Sequence, residues 1–183
     1  MNKQFENYSI RPIKPADAEE YFEFISENRK RIETYFPVTA KANSSLIATK
    51  THIEERMKQA EEKKFLLFVI RDEIKNEFAG IIFLKDIDWN IPKAEVGFFT
   101  AEKYEGKGII SKSLNLLKDF SFNEYSINKL FMRIAPDNIR SKAVAERNGF
   151  TLEGTLRKDF KSFNGELIDV IYYGMLKEDY LNK

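Results

Sequence analysis

At 183 residues, 43% hydrophobic and 14% aromatic, the chain suits a single domain, 1–183, with enough apolar surface for a full core. A formal net charge of +1 supplies no basic field for nucleic acid, and the lack of cysteine excludes disulfides, thiolate zinc sites and an enzyme thioester. No run of about eighteen apolar residues occurs and Met1–Glu6 lacks the apolar core of a signal peptide, so the expectation is a cytoplasmic protein without a membrane segment.

Tyr8–Ile13 alternates as a short strand, and Ala16-Asp17 opens a helix to about Ile32 with Phe22, Ile25, Arg29 and Ile32 on one face. Val38–Ser45 reads as polar loop, and Leu46–Lys63 as a charged helix whose histidine, His52, falls on a solvated face. Phe65–Ile70 and Phe78–Leu84 are strands around a turn, and Asp86–Pro92 leads to an apolar strand over Ala94–Thr100. A glycine-bearing loop follows. The next helix, to about Tyr125, places Ile110, Leu114, Leu117 and Ser121 on one face, and the strand Leu130–Ala135 is parallel to the Ala94–Thr100 strand because a helix connects them. A helix capped at Asn138 ends at Gly149, Thr151–Phe160 and Leu167–Met175 form a hairpin around Asn164-Gly165, and Lys177–Leu181 is a last turn of helix. Paired strands at the end argue against a doubly wound dinucleotide fold. The class is α/β (α+β) with a mixed sheet.

The chemistry concentrates in Lys103-Tyr104-Glu105-Gly106-Lys107-Gly108-Ile109-Ile110, between a strand and a helix. Gly106 and Gly108 let the loop curl its N–H groups towards the helix N-terminus, a point that attracts a diphosphate. A P-loop needs Lys-Ser/Thr after its second glycine, and Ile109-Ile110 stands there; a dinucleotide fingerprint needs a third glycine where Ser111 stands. The hexamer Lys103–Gly108 instead resembles the acyl-coenzyme A loop of the GNAT N-acetyltransferase superfamily, Gln/Arg-x-x-Gly-x-Gly/Ala, with Lys103 departing at the first position. Further on, Asn138, Ser141, Gly149 and Phe150 match the Asn-x-x-Ser…Gly-Phe block of the branch that acetylates ribosomal-protein N-termini at alanine or serine. The two motifs stand in the right order and spacing.

The resemblance implies a GNAT fold whose mixed central sheet is splayed at the cofactor site, with helices on both faces and the C-terminal hairpin. It implies acetyl-CoA as co-substrate, no metal, and direct attack by a primary amine on the thioester. Gly97, Phe98 and Phe99 would contribute backbone at the acetyl group, their rings packing in the core, while Lys103–Ile110 hold the pyrophosphate. Glu95 would take the amine proton, directly or through water, with Asp86 and Asp88 in reserve; pairing with Lys93 or Arg133 is its structural alternative. Asn138 would bond the pantetheine, and Ser141 the departing sulfur, unless both merely cap their helix. Trp89 would wall the acceptor cleft with Glu95, unless it packs in the core or at a dimer contact. A ribosomal-protein N-terminus is the first acceptor and a polyamine the alternative, an acidic pocket around Asp86/Asp88 and Glu54/Glu55 suiting the second. A non-catalytic acyl-CoA-binding module is the reading of another class. A homodimer is implied by the resemblance alone.

Overall fold

The computed structural model describes residues 1–182. β1 (Lys3–Phe5) and β2 (Tyr8–Pro12) form an N-terminal hairpin, and two helices, α1 (Ala18–Glu27) and α2 (Arg29–Tyr35), occupy the stretch expected as one. The break falls at Asn28, whose backbone leaves the helical region (φ −105°, ψ 12°) while its side-chain amide donates to the Phe24 carbonyl at 2.8 Å. Asparagine competes with the helix by bonding backbone through its side chain. The expected loop beyond it contains a further short helix, α3 (Pro37–Ala42), started by a proline preset for a first helical turn.

Helix α4 (Leu46–Glu61) is capped by Ser45, whose hydroxyl accepts from Ala48 N–H at 3.2 Å. The placement of His52 on a solvated face is overturned: it is 4% exposed, beside buried Thr49 and Ile53. Burial and the nearby Arg56 charge push its pKa down to about 4.

Next come β3 (Leu66–Asp72), β4 (Glu77–Asp88), β5 (Lys93–Thr100), α5 (Ile109–Asp119), β6 (Lys129–Ile134), α6 (Ile139–Arg147), β7 (Thr151–Lys161), β8 (Leu167–Leu176) and α7 (Lys177–Leu181). The described strands form one sheet in the order β1-β2-β3-β4-β5-β6-β8-β7. Its pairs are antiparallel except β5–β6, which α5 connects as the expected crossover. β4 runs on through the expected linker by way of a bulge, where Asp86 adopts φ +50°.

Alternation along β4 and β5 decides which side chains meet which helices. Lys85, Phe83 and Ile81 stand opposite Glu95, Gly97 and Phe99, and this face packs against the first helices: Phe99 on Phe24 at 5.9 Å, Phe83 on Phe36 at 5.8 Å. The reverse face carries Phe68, in edge contact with Phe120 at 5.8 Å just beyond α5. Leu114, Leu117 and Ser121 are fully buried there, as the helical stripe predicts. The sheet is therefore covered on both sides.

The feature that makes room for a ligand lies in one pairing. β5 and β6 are in register only from Lys93↔Lys129 to Glu95↔Phe131. Beyond that β5 continues to Thr100 and β6 to Ile134 without pairing to each other, so the sheet opens as a wedge.

Candidate active site

Glu95 sits at the apex of the wedge. A cavity of about 370 Å³ fills the opening, lined by Glu95–Phe98 on one bank and Met132–Ala135 on the other. The carboxylate is 5% exposed, and Arg133 Nε donates to its Oε2 at 2.8 Å while Lys85 Nζ lies 3.3 Å from Oε1. Burial raises the Glu95 pKa, and the two cations oppose that without cancelling it. Arg133 also reaches Asp86 at 2.7 Å and Asp159 at 3.3 Å, tying the β4 bulge, β5 and β7 together. Asp86 thus belongs to this network, whereas the Asp88 carboxylate accepts from Asn90 and Ile91 N–H in its own turn.

Gly97 is required by packing. A Cβ there would stand 2.2 Å from the Phe83 ring, which lies across the strand and forms a wall of the cavity. Phe98 lines the opening, while the Phe99 ring is buried between Phe24 and Phe36, with the Arg31 guanidinium 4.9 Å from its centroid.

Asn138 and Ser141 both reach the cavity from the start of α6. Asn138 Oδ1 accepts from Ser141 N–H at 3.1 Å, so it is a helix cap. That bond consumes the acceptor end and leaves its NH2 group to donate. Among the described residues the Ser141 hydroxyl has no hydrogen-bond partner, whereas its backbone N–H is held by the cap.

The glycine loop adjoins this site. Gly106 (φ +73°) and Gly108 (φ +72°) hold left-handed backbone, and a Cβ at either would project into open space. Gly108 immediately precedes α5, whose first residues Ile109 and Ile110 are buried and anchor it. Tyr104 is an anchor too: its ring is buried and its hydroxyl, with one proton to donate, lies between two carboxylates, 2.8 Å from Asp72 and 2.7 Å from Glu77, with burial and these carboxylates driving its pKa far upward. Lys103, at the departing motif position, pairs with Glu77 at 2.6 Å, and Lys107 lies 4.9 Å over the Tyr104 ring. Glu105 is gripped by Arg31 of α2 and Arg140 of α6, a clamp joining the loop to the helix that bears Asn138 and Ser141.

Trp89 stands elsewhere. Its indole N–H donates to the Lys63 carbonyl at 3.1 Å, its ring faces Tyr125 at 6.0 Å, and it is not among the residues lining the cavity. The rest of the cavity is instead lined by Tyr35, Phe36 and Thr39 at α2 and α3, by Arg56 of α4, by Phe65 just before β3, and by Asp159, Phe160 and Lys161 from β7. Sequence reading missed these. The one available signal was the break before Pro37, which turns α3 back over the sheet. Among the described residues no group of three His, Asp or Glu side chains could hold a metal ion, and no helix is long and apolar enough to cross a membrane.

Residues 8–151 match the family model described as an acetyltransferase (GNAT) domain. A protein of Bacillus subtilis (strain 168), named as the putative ribosomal N-acetyltransferase YdaF, is 32% identical over 176 residues, covering 96% of this chain and 94% of its own. The spermidine N(1)-acetyltransferase of Vibrio cholerae is 31% identical over 116 residues, 63% of this chain and 66% of its own. Among solved structures, RimL, a ribosomal L7/L12 alpha-N-protein acetyltransferase in complex with coenzyme A, superposes with a TM-score of 0.85 at 24% identity, covering 94% of this chain and 95% of that one.

Proposed function

Since the chain belongs to the GNAT acetyltransferase family, we propose that it is a cytoplasmic, single-domain enzyme that moves the acetyl group of acetyl-CoA onto the N-terminal amine of a ribosomal protein. The observation that carries the reading is the wedge between β5 and β6, with a buried carboxylate at its apex and a loop of two left-handed glycines leading into α5.

Acetyl-CoA supplies an activated thioester; the chain's own residues bind and orient it and move a proton. The curled amides of Gly106–Ile109 and the positive end of α5 receive the pyrophosphate, and their grip does not depend on the side chain at Lys103. Asn138 Nδ2 donates to the pantetheine. One backbone N–H within Gly97–Phe99, on the edge that the splay leaves unpaired with β6, polarises the acetyl carbonyl. Glu95 accepts the ammonium proton through a water, and burial suits it to that task by raising its affinity for a proton. The amine nitrogen then bonds to the acetyl carbon as the carbon–sulfur bond breaks, its second proton passes to the departing sulfur to give the free thiol, and the Ser141 hydroxyl donates a hydrogen bond to that sulfur as its charge develops. With a thiol pKa of about 8.5, that last assistance is modest.

A polyamine acceptor draws support from the spermidine acetyltransferase relative. The charges around the cavity, with Arg56, Lys85, Arg133 and Lys161 against Glu95 and Asp159, weigh against it. The test is coenzyme A release from acetyl-CoA with alanine- or serine-starting peptides and with spermidine. Peptide turnover is the expected result, spermidine turnover alone would exchange the acceptors, and turnover of neither would reject both.

A further inference from the structure

The cavity's charges do not balance, and the imbalance is local. Lys85 and Arg133 are engaged by Glu95, and Arg133 also by Asp86 and Asp159, which accounts for both lining carboxylates. Arg56 and Lys161 remain. Arg56 donates to the neutral Gln59 Oε1 at 2.5 Å and lies 4.0 Å over the Phe65 ring; among the described residues neither it nor Lys161 makes a salt bridge, the Glu55 carboxylate acting on Arg56 only through space. Burial also works against the Arg56 charge, lowering its pKa, so the cation is held in the wall at a cost.

We infer that Arg56 and Lys161 form a carboxylate subsite, so that the acceptor is an amine bearing an acidic group a short distance along its chain. The inference rests on the acetyl-transfer reading of the same cavity. Arg56 stacks on Phe65, Phe65 stacks on Phe83 at 5.3 Å between centroids, and Phe83 covers Gly97, where the amine must arrive. Two ring contacts correspond to about two or three residues of extended chain. A peptide with Asp or Glu at its second or third position therefore fits, its amine at Glu95 and its carboxylate at the part of the cavity wall where Arg56 stands, with Lys161 as the second lining cation without a salt bridge. A guanidinium over a ring turns its edge N–H groups away from that ring, and beyond the one bond to Gln59 Arg56 has further N–H groups for a charge-assisted pair. Spermidine, cationic at both ends, meets repulsion at the same place.

The test is calorimetric titration of the protein saturated with coenzyme A, a dead-end complex in which acceptor binding is read without turnover. The probes are the amides Ala-Glu-Glu-Ala, Ala-Gln-Gln-Ala and Ala-Lys-Lys-Ala, together with free glutamate, which separates a peptide from a small-molecule source of the carboxylate. The acidic peptide should bind about tenfold or more tightly than the glutamine peptide, and the lysine peptide weakest. Arg56→Gln and, separately, Lys161→Gln should each shrink that ratio, and Arg56→Lys should recover part of it. Equal affinities, a preference for lysine, no binding of any peptide, or a ratio that survives both glutamine variants would overturn the inference. Acetyl transfer is followed in parallel: loss of transfer with the acidic preference intact rejects the catalytic assignment and leaves the subsite standing.

Discussion

The two banks of the wedge are built by opposite means. The side proposed for the coenzyme comes from two short contiguous stretches, Glu95–Ile110 and Asn138–Ser141, and would work largely through backbone: two left-handed glycines, a helix start and the unpaired part of a strand. The side proposed for the acceptor is assembled from α3, α4, β4, β6 and β7, and would work through side-chain charge and rings. Backbone chemistry imposes residue types at fixed spacing. Side-chain chemistry imposes only that the right groups converge, from anywhere in the chain. A motif therefore identifies what is bound on the first bank and says little about the second.

The largest effect expected is on the apex they share. Glu95→Gln should lower kcat by about 10²–10³-fold with acetyl-CoA affinity retained, read by steady-state kinetics alongside calorimetry. An unchanged kcat would move the proton acceptor off Glu95. Next, on the backbone bank, Gly108→Val forces a β-branched residue to φ +72° and puts its side chain where the pyrophosphate is to lie, and should weaken acetyl-CoA binding about 100-fold. Circular dichroism separates that loss from unfolding. Swapping Lys103 for Met, by contrast, should change affinity little, because its ammonium is engaged with Glu77.

Smaller effects concern the scaffold under the acceptor bank. His52 is neutral when folded, with a pKa of about 4 against about 6.5 in an unfolded chain. Between those values the unfolded state binds more proton, so stability rises with pH from about 4 to 6.5, by up to about 3 kcal/mol. Urea melts across that range should show the slope, and a His52→Gln variant should flatten it. Gly97→Ala, which drives a methyl into the Phe83 ring, should cost about 1–3 kcal/mol and narrow the cavity at its floor.

How much of this was legible follows the same division. The strand, the glycine loop, the crossover helix and the Asn138 cap stand where spacing and turn chemistry put them. Helix α4 misled because its inward stripe, Thr49, His52, Ile53 and Arg56, keeps the i, i+3, i+4, i+7 spacing but is mostly polar, so periodicity of apolar residues missed it. The sequence leaves Trp89 open between the acceptor cleft, the core and a dimer contact, and the bulge at Asp86 and the turn at Asp88 carry it towards Tyr125. Asp159 and Lys161 lie over sixty residues from Glu95, on a strand two places from β6 whose pairing with β8 shifts register between Leu156 and Phe160, beside Asp159. No local pattern encodes that.

The central claim, that the buried carboxylate at the wedge takes the proton, is tested most directly by the pH dependence of kcat/KM for the parent, Glu95→Gln and Lys85→Met. A base works ionised, so the rate should rise with pH through an apparent pKa above the ordinary glutamate value. Lys85→Met should move that limb to still higher pH, since the lysine holds the Glu95 pKa down, and Glu95→Gln should abolish it. A limb that keeps its position in all three proteins would contradict the account.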